Sequence, residues 1–571
     1  MGLMKIGLAS LPLALLAACG GSGNTVNVAN LPALQSQAGC GSLAQQRFGA
    51  DAIGLPTGGV RVTSATLVAA TTETIQSGAA LHALPQYCKV LADIYPVDPA
   101  AGTIKIQVNL PASWNQKSLQ VGGGGLNGAI PANLAAVGSS GSPISGAFPP
   151  DAPYPLSQGY ATFGGDSGHQ ETGTVASWAL NDESWTNFGH AALKKTHDAA
   201  FAIIEAAYGR RPTVSYFMGQ SQGGREAMEV AQRYPADYDG VVSTSPLIGY
   251  TSHVVHKSLL ARPQAGAGWL PPEKLGLIGA EVVRQCDAMD GLVDGVIDNY
   301  RACDARFDKA AAASPWATIR CTSGADTGNT CLSDAQIATI DQIHAPTVYG
   351  FDLGQGITSA PGYGTGREAL AGWLNVNPQP ALPAQPVLGQ PGATLSYGIL
   401  KDPNFNLLNF TTAAFREKLQ AAAKIIDTND TNLQPFFQRG GRLIIKSQSS
   451  DYSSNPRAVM AYYDRLVARF GRAAVDNNVR LYIFANGSHN GDAVSATSGE
   501  AQPQYVDLVT LMTDWVEKGI TPPDAPEMRA MQKVPPYTVS ATKPLCRYPL
   551  YPRYSGSGDP KKAASYTCAA N

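Results

Sequence analysis

Apolar positions along the chain fall into short runs of strand length, separated by glycine- and proline-rich turns. Residues 61–68, 87–92 and 104–110 read as strands. The last alternates apolar and polar residues, as a half-exposed antiparallel strand does. Strands at 119–121, 160–164 and 216–218 follow. Ala191, Leu193, Ala199, Ala200, Ile203, Ile204 and Ala207 recur at helical spacing and predict an amphipathic helix over 188–208. Ala227, Met228, Val230 and Ala231 predict another over 225–234, closed by Pro235. A buried strand is expected near 238–243. From 248 to 439 the pattern changes: helical pieces such as 333–343 alternate with loop-like stretches, notably 378–391, and parallel-strand periodicity is absent. Strand 441–446, helix 455–470, strand 479–484 and a helix near 504–518 then resume the earlier rhythm. The expectation is an α/β core in two parts, 31–247 and 440–571, with a large inserted domain at 248–439.

Composition narrows the function classes. A chain of 571 residues can bury a large core, and its net charge of −2 with 15% charged residues points to neither nucleic acid nor an anionic membrane surface. Met4-Lys5 precedes an apolar run at 6–18, too short to span a bilayer as a mature helix. It ends Leu16-Ala17-Ala18-Cys19, which resembles a bacterial lipoprotein signal; an ordinary cleaved signal is the alternative. The reading is a signal peptide at 1–18, lipid on Cys19 and a flexible tether at 19–30. That predicts an exported lipoprotein, periplasmic or at the outer membrane or cell surface, touching membrane only through its anchor. Eight cysteines remain and fall in sequential pairs, Cys40 with Cys88, Cys286 with Cys303, Cys321 with Cys331, and Cys546 with Cys568. No spacing suits zinc, so disulfides formed in an oxidising compartment are expected.

Candidate chemistry centres on Gly219-Gln220-Ser221-Gln222-Gly223, between an apolar strand and a helix. This is the context a nucleophile elbow requires, and it predicts an α/β-hydrolase core sheet with Ser221 projecting at a helix N-terminus. The backbone N–H of Gln222 is the expected first oxyanion donor. The strand at 119–121 runs into Gly122-Gly123-Gly124-Gly125, where a second donor is expected, with Gly124 and Gly125 as candidates. A serine hydroxyl needs a base. On this fold the order is serine, acid, histidine. His489 is the one histidine after the insert and follows the strand at 479–484. Asp451 is the first carboxylate after the strand at 441–446 and is the expected acid.

Residues 286–298 pack Asp287, Asp290, Asp294 and Asp298 into a dozen positions with glycines between them. Hard oxygen donors on sharp turns suit Ca²⁺. Asp287, Asp290 and Asp294 with the carbonyls of Leu292 and Val296 form the expected cage for a structural ion in the inserted lid.

Together these stretches resemble the tannase and feruloyl esterase family. The resemblance lies in Tyr160-Ala-Thr-Phe-Gly-Gly-Asp-Ser-Gly-His169, Ser177-Trp-Ala-Leu-Asn181, Phe188-Gly-His190, the elbow at 215–225, Tyr234-Pro-Ala-Asp-Tyr-Asp-Gly-Val-Val242, and the aspartate loop. It implies an α/β-hydrolase core, a lid inserted after the nucleophile, calcium in that lid, and triad roles for Ser221, Asp451 and His489. Family members usually bridge the positions before the serine and after the histidine by a disulfide; here they are Gln220 and Asn490, so the chain is expected to be a variant lacking that bridge, with hydrogen bonding in its place. Members also tend to have His-Gly where this chain has Ser447-Gln448. The resemblance implies a secreted serine esterase acting on small aromatic acid esters of feruloyl, galloyl or terephthaloyl type. Trp373 and Phe415 are candidate stacking partners for the acyl ring. An esterase for aliphatic or polyester-oligomer esters, a peptidase, and a non-catalytic surface binding protein are the alternatives.

Overall fold

The computed structural model describes residue 34 and residues 36–76, 78–135, 147–173, 175–308, 314–365 and 389–571. The signal, tether and Cys19 readings, and Trp373, lie outside the described residues. The strands anticipated from apolar runs assemble into one ten-stranded sheet: β1 (Arg47–Phe48), β2 (Val60–Val68), β3 (Tyr87–Ile94), β4 (Ile104–Pro111), β5 (Lys117–Val121), β6 (Ala161–Gly165), β7 (Val214–Gln220), β8 (Gly240–Thr244), β9 (Arg442–Gln448) and β10 (Val479–Phe484). Their order across the sheet is β1-β2-β3-β4-β6-β5-β7-β8-β9-β10. Pairing is antiparallel from β1 to β4 and between β4 and β6, then parallel from β6 through β10.

The parallel half is covered on both faces, which is why β7 and β10 read as nearly continuous apolar runs. Side chains alternate between two cores. Phe217, Val241, Leu443, Ile445 and Leu481 pack with Ala227, Met228, Val230, Val459, Tyr462 and Leu466. Those partners belong to the helix Gln222–Arg233 and to Pro456–Phe470. On the opposite face Met218, Val242, Ile444 and Tyr482 meet Leu508, Met512 and Trp515 of the helix Leu508–Lys518. The helix Ala192–Tyr208 covers the antiparallel strands through Ala199, Ala200, Ile203 and Ile204.

Three boundaries differ from expectation. The helix anticipated from 188 begins with a wide turn, Asn187–Ala191, before regular geometry starts at Ala192. The last core helix starts at Leu508, because the Asp507 carboxylate caps it by accepting from Thr510 N–H at 2.8 Å. Of the loop-like stretch 378–391, residues 378–388 lie outside the described residues, and its end is helical at Gly389–Ala393. Two hairpins after the sheet, Glu527–Met531 with Val539–Pro544 and Tyr551–Tyr554 with Tyr566–Ala569, were not anticipated.

The strands β8 and β9 are parallel neighbours, yet the chain between them runs from Ser245 to Gly441. This insert packs around an apolar core that includes Val254, Ile278, Val282, Trp316, Ile340, Leu395 and Leu419 and is shared with Leu126, Trp185 and Phe188 of the preceding chain. No helix among the described residues is long and apolar enough to cross a membrane. The eight cysteines close as four sequential pairs, 40–88, 286–303, 321–331 and 546–568. The first fastens the short helix Gln37–Gly41 to β3 across 48 residues of chain. By loop-closure entropy, replacing both Cys40 and Cys88 with Ala destabilises the protein by about 4 kcal/mol, read as a lower urea midpoint than the oxidised wild type.

Candidate active site

The nucleophile elbow is built by glycines that have no room for a side chain. A Cβ on Gly219 would lie 2.3 Å from the Gly223 carbonyl oxygen, and one on Gly223 would lie 2.6 Å from that of Gly123. This close approach turns the chain from β7 into the helix Gln222–Arg233 within one residue. Ser221 stands at φ 61°, ψ −120°, a backbone region that costs a non-glycine residue about 1–3 kcal/mol. A hydrogen bond from Ser221 N–H to the Thr244 carbonyl at 3.0 Å, reaching across to β8, holds it there.

The ends of β7, β9 and β10 bring three side chains together. Ser221 Oγ lies 2.8 Å from His489 Nε2, and His489 Nδ1 lies 2.9 Å from each carboxylate oxygen of Asp451. Asp451 is 1% exposed and also accepts from Ser453 N–H at 2.8 Å, Ser454 N–H at 2.9 Å and the Ser454 hydroxyl. Its aim at Nδ1 sets the imidazole tautomer, leaving Nε2 to accept from the serine. Burial disfavours the imidazolium, but the charge and hydrogen bond of Asp451 outweigh it, and His489 ends above its ordinary value of 6.5.

The backbone of His489 is also held. Gln220 Nε2 donates to its carbonyl at 2.8 Å, and Ser245 Oγ, 3.4 Å from that carbonyl, donates to Gln448 Oε1 at 2.5 Å. The expected substitute for a bridge thus differs in partner: Gln220 grips the histidine's own carbonyl, while Asn490 is exposed.

Of the glycine loop, two N–H groups are already committed. Gly122 donates to the Met218 carbonyl at 2.9 Å and Gly123 to Glu226 Oε2 at 2.9 Å. The N–H groups of Gly124 and Gly125 have no acceptor among the described residues, nor does that of Gln222 at the open first turn of its helix. Gln390 of the insert borders this loop, its Nε2 2.9 Å from where a Gly125 Cβ would stand.

Several buried groups escaped the sequence reading. Glu226 carries the glycine loop. Arg225, fully buried, donates to the carbonyls of Gly189 at 2.7 Å, Phe188 at 3.0 Å and Ile426 at 3.1 Å, tying the nucleophile helix to the wide turn and the insert. Charged residues inside a helix of apolar periodicity are their one signal in the sequence. Phe415 packs against Phe405 and Phe410 in the insert's core, not against the triad.

In the aspartate loop three of the four carboxylates, those of Asp287, Asp290 and Asp294, are turned back on the loop's own backbone. Asp287 accepts from Gly295 N–H at 2.9 Å, Asp290 from Leu292 N–H at 3.1 Å and Asp298 N–H at 2.8 Å, and Asp294 from Val296 N–H at 3.0 Å. Lys543 pairs with Asp298 at 2.6 Å. Burial and the charge of Asp298 push Asp290 well above the usual carboxylate range, and burial pushes Asp294 up to about 6. Among the described residues, the one group of three or more potential metal ligands with donor atoms within 4.8 Å of one another is His197, Asp198 and Asp237. There Lys194 Nζ already sits 2.8 Å from Asp198 and 3.0 Å from Asp237. The loop aspartates are not drawn together that closely.

Comparison with known proteins shows the family and the fold. The family model described as tannase and feruloyl esterase matches residues 88–569. An uncharacterised esterase of Agrobacterium fabrum is 33% identical over 570 residues, covering 95% of this chain and 97% of the relative. The mono(2-hydroxyethyl) terephthalate hydrolase of Piscinibacter sakaiensis is 30% identical, with 88% of each chain covered. The crystal structure of feruloyl esterase B from Aspergillus oryzae superposes with a TM-score of 0.73 at 20% identity, covering 93% of this chain and all of that one, which shows the α/β-hydrolase fold. The further reading as a variant lacking the active-site bridge is not borne out: four disulfides close within the chain.

A general base at His489 acts as the neutral imidazole, and with that role kcat/KM is expected to rise with pH through a pKa above 6.5. In Asp451→Asn that limb moves to lower pH, because the charge raising the imidazole is gone, and the plateau falls about 10⁴-fold through loss of the right tautomer; pH–rate profiles of both proteins read this.

Proposed function

The chain belongs to the tannase and feruloyl esterase family, and we propose that Ser221, His489 and Asp451 carry its ester hydrolysis, on esters of small aromatic carboxylic acids. One observation carries the mechanism: the unbroken series from Ser221 Oγ to His489 Nε2 at 2.8 Å and from Nδ1 to Asp451 at 2.9 Å. As Ser221 Oγ attacks the ester carbonyl, Nε2 takes the hydroxyl proton, and the carbonyl oxygen gains negative charge. The N–H of Gln222 and those of Gly124 and Gly125 stabilise that charge. His489 then returns the proton to the leaving alkoxide. Water, deprotonated by the same nitrogen, hydrolyses the acyl-enzyme. Asp451 accepts from His489 Nδ1–H and stabilises the imidazolium in both halves.

The names of the relatives support an aromatic acyl group, since terephthalate and ferulate are both aromatic acids. The four disulfides support an oxidising compartment.

The aspartate loop suits a structural Ca²⁺. Its donors are all oxygen, and of its four carboxylates only that of Asp298 has a lysine or arginine partner among the described residues, Lys543. Asp287, Asp290 and Asp294 with the carbonyls of Leu292 and Val296 would hold the ion, whose role is to neutralise and brace the loop.

Ser221→Ala abolishes hydrolysis of p-nitrophenyl acetate while leaving the melting temperature within a few degrees. Across methyl ferulate, methyl gallate, mono(2-hydroxyethyl) terephthalate and aliphatic methyl esters, kcat/KM is highest on an aromatic ester. A preference for the aliphatic esters overturns the acyl assignment, and activity surviving in Ser221→Ala overturns the nucleophile.

Chelation with EDTA lowers the melting temperature and added Ca²⁺ restores it. At a free ion concentration a hundredfold above Kd, the ion contributes about 2.7 kcal/mol. An Asp290→Asn protein melts lower and no longer responds to Ca²⁺.

A further inference from the structure

The oxyanion donors come from two separate pieces of chain. Gln222 N–H belongs to the nucleophile helix, whereas Gly124 and Gly125 belong to the loop after β5. Donors on two elements stabilise one oxygen only when the elements are held in register to a fraction of an ångström.

A single carboxylate spans the two. Glu226 lies on the nucleophile helix, little more than one turn beyond Gln222, and is 2% exposed. Its Oε2 accepts the Gly123 N–H at 2.9 Å, and its Oε1 accepts from Asn127 Nδ2 at 2.6 Å. Those two partners stand on either side of Gly124 and Gly125. Asn127, in the left-handed region at φ 56°, closes the turn by donating its own N–H to the Gly124 carbonyl at 2.8 Å. The fit leaves no slack: a Cβ on Gly122 would lie 2.8 Å from Glu226 Oε2, and one on Gly123 would lie 2.6 Å from the Asn127 side chain. The loop's far side is held separately, by Gly128 N–H to the Asp166 carbonyl at 3.1 Å and by His169 Nε2 to the Leu126 carbonyl at 2.9 Å. Burial pushes the Glu226 carboxyl up, with the neighbouring Arg225 charge opposing. Such a buried acid is costly to keep, and both of its oxygens are spent on the loop that presents the free N–H groups.

We propose that Glu226 is a positioning residue for the oxyanion hole, its paired acceptor oxygens keying the glycine loop to the helix that carries Ser221 and Gln222. This rests on the reading of Ser221 as nucleophile. Oxyanion stabilisation is realised in the transition state, so loss of the key falls on kcat and spares KM.

Steady-state kinetics on p-nitrophenyl acetate and on the best aromatic ester, for Glu226→Ala, Glu226→Gln and Asn127→Ala, test it. Glu226→Ala lowers kcat about 10²-fold with KM within about twofold. Glu226→Gln recovers most of the loss, because its amide oxygen still accepts from Gly123 N–H while Asn127 presents its own oxygen to the amide NH₂. Asn127→Ala, which removes one of the two grips, falls between wild type and Glu226→Ala. Should Glu226→Ala fail to fold, Asn127→Ala and Glu226→Gln carry the test. Wild-type kcat in Asn127→Ala, or a loss in any variant carried by KM alone, overturns the proposal. Activity persisting in Ser221→Ala would instead sink the reading beneath it, whereas a dead Ser221→Ala beside fully active Glu226 variants sinks this inference alone.

Discussion

The site depends on a near-contact of backbones. Gly219, Gly223, Gly122 and Gly123 meet where the nucleophile strand, its helix and the oxyanion loop converge, and not one methyl group fits between them. That contact lets β7 reverse into a helix through a single strained residue. It also brings the loop after β5 alongside the first turn of that helix. Given this junction, the sheet supplies the rest: β9 and β10 run parallel to β7 and end at the same edge, so the loops that follow them bring Asp451 and His489 to Ser221.

The polar groups around the junction act mostly on backbone rather than on one another. Gln220 holds the carbonyl of His489, Arg225 gathers three carbonyls from the wide turn and the insert, and Glu226 holds the loop's N–H. Each fixes the path of a loop whose own side chains are too small or too exposed to fix themselves. A buried charge that satisfies several backbone groups orders more chain than an ion pair of equal burial.

Much of this was legible in the residues, for physical reasons. Central parallel strands are apolar on both faces, so β7, β9 and β10 stand out as runs, and the order serine, acid, histidine follows from the order of strand ends. The cysteines pair with their sequence neighbours, so their spacing was informative. The wide turn Asn187–Ala191 was not legible, because one extra residue in a helical turn barely disturbs apolar spacing. A hydrogen bond from Gln220 was expected, but its acceptor was missed because it is a carbonyl, which every residue has, 269 positions away. Glu226 was missed for a similar reason: its partners lie about 100 residues upstream, in a loop that reads only as glycine.

The aspartate loop has a neighbour whose importance is mechanical. Ser495 Oγ donates to the Asp294 carbonyl at 2.6 Å, and Ala496 N–H donates to that of Gly295 at 2.8 Å. These residues belong to the segment that leaves His489, so the insert is riveted to the base-bearing loop a few residues past the imidazole. A hinge at the insert's two ends would have to shear those rivets and drag the imidazole with it. Breathing that admits an ester while sparing the triad is therefore confined to parts of the insert beyond this seam.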